Sequence, residues 1–146
     1  MIGTSVVFNY ALTMKNTLLT ISLFVAFALT LSAQNNSVTL LQFEDRALDL
    51  GDVKHGDVIK SSFHFTNISQ DTVYIDLVSS CECTDTDWPR KPILPGEKGE
   101  IKITFNSEMK EESEVVDVDI YLLNEDPKTG NTIAEYLSYK YNLIKN

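Results

Sequence analysis

Val115-Val116-Asp117-Val118-Asp119-Ile120-Tyr121-Leu122-Leu123 is the stretch that decides how this chain folds. Val116, Val118, Ile120 and Leu122 occupy alternate positions, with Asp117, Asp119 and Tyr121 between them. A helix advances about 100° per residue and would scatter these four around its axis, whereas a pleated strand puts them on one face. Outward from this stretch the same period recurs. Ile101, Ile103 and Phe105 alternate with Lys102 and Thr104, and Phe63 and Phe65 with Ser62, His64 and Thr66. Val73, Ile75 and Leu77 alternate with Tyr74 and Asp76, and Leu137, Tyr139, Tyr141 and Leu143 with Ser138, Lys140 and Asn142. One apolar face per run is the pattern of half-buried antiparallel strands. Turn residues separate the runs: Gly51-Asp52, Gly56-Asp57, Asn67 to Asp71, Pro92 to Gly96, and Asn124 to Asn131. The spacing predicts an all-β antiparallel sandwich of about seven strands. The last run, 132–144, is long and aromatic and is expected to close a sheet edge.

The N-terminus reads differently. Met14-Lys15-Asn16 is a short positive start, Leu18 to Leu31 an apolar run, and Leu31-Ser32-Ala33 a small-residue cleavage point. This is the order of a secretory signal peptide. The apolar run falls short of the roughly 20 residues that span a bilayer, so no stable membrane span is expected once the signal is removed. Residues 1–33 are therefore assigned to an upstream extension and signal peptide, with Met14 as the start, and 34–146 to the folded domain. That places the domain in the periplasm, at the cell surface or outside the cell. All 21 acidic residues, and all but one of the 12 basic ones, follow Ala33, so the domain is more acidic than the −9 of the whole chain. Such a charge repels phosphate backbones and argues against a nucleic-acid partner.

A series of motifs carries a resemblance. They run Phe43, Leu48-Asp49-Leu50-Gly51-Asp52-Val53, Gly56-Asp57-Val58, Phe63-His64-Phe65-Thr66-Asn67, Ser80-Cys81-Glu82-Cys83-Thr84, Pro92-Ile93-Leu94-Pro95-Gly96-Glu97-Lys98-Gly99 and Ile101 to Phe105. In this order they resemble the bacterial secreted family called domain of unknown function 1573. The resemblance implies an immunoglobulin-like sandwich similar to the ASPM/SPD-2/Hydin modules, with no assigned activity. The family usually carries Gly between the two cysteines. Glu82 stands there instead, and Glu resists the positive φ that Gly permits.

Cys81 and Cys83 are the chain's two cysteines. In a flat strand their Cα atoms stand roughly 6.6 Å apart on one face, while a disulfide wants Cβ atoms about 3.5–4.5 Å apart. A bend or bulge permits the bond. Either a local disulfide or a pair of buried thiols satisfies the sequence. A soft-metal site for copper or zinc is the alternative, with His64, His55 or Met109 completing the shell. Cys-x-Cys is half such a site. No Cys-x-x-Cys and no helix start is present, and Glu82, Asp85 and Asp87 raise a thiol pKa, all of which argue against a redox centre.

Trp88-Pro89 beside the cysteines reads either as a binding hot spot or as a plug at one end of the sandwich. Asp85 and Asp87 with Glu82 read as a solvated loop face rather than a calcium loop, since the Gly-hinged spacing is missing. Glu111, Glu112 and Glu114 with Asp117 and Asp119 make a charged outer strand face. Asn67-Ile68-Ser69 and Asn35-Asn36-Ser37 fit an N-glycan acceptor pattern, and Asp71-Thr72-Val73 a bacterial O-glycan one. No nucleophile elbow occurs and neither histidine sits in a catalytic motif. The expectation is a non-catalytic envelope module without cofactor, binding a protein or envelope component through residues 81–95 or the 132–144 edge. The binding candidates are Trp88, Cys81, Cys83, Asp85 and Asp87. The alternative is a metal- or thiol-handling protein using the two cysteines.

Overall fold

The computed structural model describes residues 38–144, and from Val38 onward they form one compact unit. The signal-peptide assignment and Asn35-Asn36-Ser37 lie outside the described residues. The described residues form eight strands in turn: β1 (Leu41–Phe43), β2 (Ala47–Lys54), β3 (Val58–Asn67), β4 (Ile75–Ser79), β5 (Thr84–Asp87), β6 (Lys98–Asn106), β7 (Glu114–Glu125) and β8 (Thr132–Ile144). They build two four-stranded sheets, ordered β1-β3-β6-β5 and β2-β8-β7-β4. No helix occurs among the described residues, so none is long and apolar enough to cross a membrane.

The alternating residues meet in the space between the sheets. Phe63, Phe65, Ile101, Ile103 and Phe105 come from one sheet, and Val116, Val118, Ile120, Leu122, Leu137 and Tyr139 from the other. All are buried, and the apolar area they remove from water is the main stabilising term. Gly99 lies opposite Phe65 across β3 and β6, and a Cβ there would collide with the Phe65 ring. Pro95-Gly96 forms the expected turn: Glu97 N–H donates to the Leu94 carbonyl (2.9 Å), and Gly96 takes φ 77°. Positive φ at that position defines a type II turn and explains the Gly.

Four expectations need correction. The described residues form eight strands rather than about seven, because Thr84-Asp85-Thr86-Asp87 pairs with β6 despite having no apolar residue. The sandwich is not purely antiparallel, since β2 runs parallel to β8. The run 132–144 is not an edge, because β8 lies between β2 and β7 and the edges of that sheet are β2 and β4. Finally, a register shift between Ile75 and Leu77 breaks the alternation of β4, leaving Leu77 48% exposed and Val78 4% exposed. A bulge adds one residue to one strand and flips everything after it.

Among the described residues three polar side chains are buried: Asn67, Ser107 and Glu135. Asn67 ends β3 with no exposed surface. Its Nδ2 donates to the carbonyls of Asp71 and Ile93 (both 2.9 Å), and its Oδ1 accepts from Ser69 N–H (3.0 Å) and the Ser69 hydroxyl (2.7 Å). Every bonding position is used internally, so Asn67 is a structural clasp and not a glycan acceptor.

Candidate functional site

The cysteine pair occupies the connection between β4 and β5. Thr84 N–H donates to the Cys81 carbonyl (3.0 Å), closing a four-residue turn with Glu82 and Cys83 at its centre. No described non-Gly residue has positive φ, which leaves the type I geometry that any residue adopts. Glu82 therefore stands in place of Gly without strain. The turn draws the two Cα atoms to 5.2 Å, and Cys81 and Cys83 are joined in a disulfide. That separation lies inside the window for such bonds. Hydrogen bonds independent of sulfur hold the turn from both sides. Asn106 N–H on β6 donates to the Cys83 carbonyl (2.9 Å), and the Ser80 hydroxyl donates to the Asp117 carbonyl on β7 (2.8 Å).

Beneath the disulfide lies a small polar cluster. Thr84 Oγ1 is 3.3 Å from Cys81 Sγ and 3.6 Å from Cys83 Sγ. The Tyr139 hydroxyl bonds to Thr84 Oγ1 and reaches 3.9 and 4.0 Å from the two sulfurs. The Phe105 ring packs against Tyr139 (centroids 5.4 Å) and Tyr141 (4.5 Å). Burial pushes the Tyr139 phenol above its ordinary pKa, against a smaller opposing effect of the Thr84 hydroxyl. Tyr141, whose buried hydroxyl has no hydrogen-bond partner, is pushed up to about 12 by burial and by the Glu114 carboxylate nearby. Both phenols therefore stay protonated near neutral pH and can only enter as neutral donors or acceptors.

The remaining candidates are dispersed. Along β5, Thr84 and Thr86 point inward, with the Thr86 hydroxyl donating to the Val78 carbonyl (3.2 Å). Asp85 and Asp87 point to the opposite face, where they flank a shallow groove with Lys60, Ser62, Lys102 and Thr104. Trp88 is packed into the core at 9% exposure, its Nε1 unpaired, with the Arg90 guanidinium 3.5 Å from its ring centroid. His55 sits exposed in the turn after β2, His64 exposed on β3, and Met109 exposed after β6. Among the described residues no three His, Cys, Asp or Glu side chains converge as metal ligands, so neither histidine completes a shell around the sulfurs.

Two features were not read from the sequence. The alternation puts Tyr139 and Tyr141 on a buried face, but nothing local links their hydroxyls to the cysteines. The signal was available in principle, because a buried phenol needs a polar partner. The second feature is the outer face of β4-β7-β8. There Leu77 lies opposite Tyr121, Tyr121 opposite Ala134, and Asp119 opposite Tyr136. Tyr136 is 65% exposed, and Leu123 and Val115 are similarly open.

The model of the family described as Protein of unknown function (DUF1573) matches residues 41–134, reaching past Phe105, where the sequence motifs end. No curated protein matches the chain. Several solved structures share the fold. A protein of unknown function from Porphyromonas gingivalis W83 aligns at 18% identity and TM-score 0.59, over 76% of this chain and 50% of that one. The VesB protease of Vibrio cholerae aligns at 12% and 0.57, over 71% of this chain and 32% of that one. The chain thus spans a third to a half of those two proteins. The ASH/PapD-like domain 7 of human CEP192 aligns at 10% and 0.56, over 79% of this chain and 92% of that domain. At such identities these likenesses concern the fold alone, and the last agrees with the immunoglobulin-like, ASPM/SPD-2/Hydin-type relation implied by the motifs. On its motif order and on a match over more than half its length, the chain belongs to the DUF1573 family.

Proposed function

We propose that this domain is an exported, non-catalytic binding or assembly module of the bacterial cell envelope, and that it takes a basic protein partner on the outer face of β4-β7-β8. The observation that carries the reading is the composition of that face. Leu77, Leu123 and Tyr136 present apolar and aromatic surface to solvent, with half-buried Tyr121 between them, beside Asp117 and Asp119. Exposed aromatics set among carboxylates suit a partner that offers an apolar anchor ringed by Lys or Arg. The chain's net charge of −9 steers the same class of partner. Export is supported by the N-terminal sequence pattern and by the Cys81–Cys83 disulfide, which persists in oxidising compartments. The end loop 81–95 supports binding less well, because Trp88 is spent on the core.

Photo-crosslinking in the native envelope tests this. A crosslinking side chain at position 136 is expected to capture a basic protein, and the same probe at Lys60, on the outer face of the other sheet, is expected not to. Equal capture at both positions, or none at 136, would overturn the reading.

A further inference from the structure

We propose that the Cys81–Cys83 disulfide is a reversible thiol–disulfide exchange site that accepts two electrons from the paired thiols of a partner protein. Thr84 and Tyr139 serve the departing sulfur. This goes beyond the docking face, from which it is independent.

Three observations meet here. The first is loop length: the sequence separation is two. A disulfide stabilises a fold by constraining the unfolded chain, and that effect shrinks with the length of the loop. A loop this short adds little, so the bond is poorly explained as a staple. The second is that the turn survives without sulfur. The bonds from Thr84 N–H to the Cys81 carbonyl, Asn106 N–H to the Cys83 carbonyl and the Ser80 hydroxyl to the Asp117 carbonyl involve no sulfur, so opening the disulfide breaks none of them directly. The site can therefore cycle while the sandwich stays folded. The third is the pair of hydroxyls. Either hydroxyl can donate in the Thr84–Tyr139 pair; with Tyr139 donating to Thr84 Oγ1, the Thr84 proton is free to turn toward either sulfur. Exchange is faster when the leaving thiolate is stabilised, and a hydroxyl donor to an anionic sulfur does that. Asp85 and Asp87 face the other side of β5 and Glu82 is exposed at the centre of the turn, so Thr84 and Tyr139 supply the hydroxyls beside the sulfurs.

The step balances as follows. A partner thiolate attacks Cys83 Sγ, the S–S bond breaks, and Cys81 leaves as a thiolate toward the nearer Thr84 hydroxyl. A second partner thiol, losing its proton, displaces Cys83 from the mixed disulfide. The partner is oxidised to a disulfide, Cys81 and Cys83 are reduced to thiols, and the two partner protons end on them.

Reduction of the purified protein by dithiothreitol, followed by alkylation and mass spectrometry, tests this. Thr84→Val is expected to slow reduction about tenfold, from the loss of a hydrogen bond to a charged group. Thr84→Ser restores the rate, and Tyr139→Phe slows it by a smaller factor. The reduced protein keeps its strand circular dichroism and near-ultraviolet spectrum. Equal rates for Thr84→Val and wild type would remove the hydroxyls from the step. Unfolding on reduction would show the bond to be a staple, and either result overturns the proposal.

Discussion

Arg46→Met probes the ion pair that ties the β1–β2 connection to the core. Glu135 lies on the inward face of β8, 4% exposed, between Ile133 and Leu137. Its Oε2 accepts from Arg46 Nη2 at 2.7 Å, and its Oε1 has no partner. The same guanidinium stands 5.3 Å from the Phe43 ring centroid, and the Arg46 carbonyl accepts from Ser138 N–H (2.9 Å). Methionine keeps most of the apolar stem over Phe43 and leaves the backbone bond untouched, so the substitution removes the charge with only one further contact, a long Arg46 Nη1–H bond to the Tyr136 carbonyl (3.4 Å). Removing one partner of a fully buried pair costs about 3–5 kcal/mol, because the other charge is left uncompensated. The Arg46 side chain is 45% exposed, and water screens and partly replaces it, which brings the expected loss to about 2–3 kcal/mol. For a domain of this size that corresponds to a fall of about 10 °C in Tm. Thermal unfolding followed by circular dichroism at pH 7 measures it. Glu135→Leu combined with Arg46→Met removes both charges and is expected to recover most of the loss, since an apolar pair of similar volume is often neutral or better. A fall below about 2 °C for the single variant, or a double variant no more stable than the single, would refute the reasoning that the carboxylate depends on Arg46.

The other predictions follow from the same packing. Tyr141→Phe is expected to raise stability by about 1 kcal/mol, because it removes a buried hydroxyl without a partner. The same change tests the phenol's ionisation. The folded value of about 12 lies above the ordinary 10.0, so the stability tied to Tyr141 is fully present below pH about 10 and is lost as pH rises toward 12. Comparing Tm at pH 8 and pH 11 should show a smaller alkaline drop for the variant than for wild type. Gly99→Ala forces a Cβ into the Phe65 ring and is expected to cost about 1–3 kcal/mol in urea unfolding, as overpacking does. Trp88→Ala empties a core position and is expected to cost about 3–5 kcal/mol. As the chain's one tryptophan, it should also show blue-shifted fluorescence, poorly quenched by acrylamide.

Much of the sandwich was legible because burial on a pleated strand repeats every two residues. Phe63 and Phe65, Ile101 to Phe105, and Val116 to Leu122 face the core as their alternation requires. Turn chemistry was legible for a similar local reason: Pro95-Gly96 has few conformations open to it, and the chain adopts one of them. The candidate site was legible only in its covalent part. The two cysteines were evident, and so was the need for a bend between them.

What the chain itself determined was therefore everything set within a few residues: strand faces, the type II turn, and the acidic charge. What tertiary structure alone decided was which distant segments meet. Thr84-Asp85-Thr86-Asp87 has no apolar face and becomes a strand only because β6 offers it a partner. β2 runs parallel to β8, a pairing between segments some ninety positions apart that no local period encodes. Leu77 turns outward because a bulge against β7 shifts its register. Tyr139 reaches the cysteine turn from 58 positions away in the chain. Hydrogen bonds and sulfur contacts depend on distance in space, and only the closing of the two sheets brings that distance to a few ångströms.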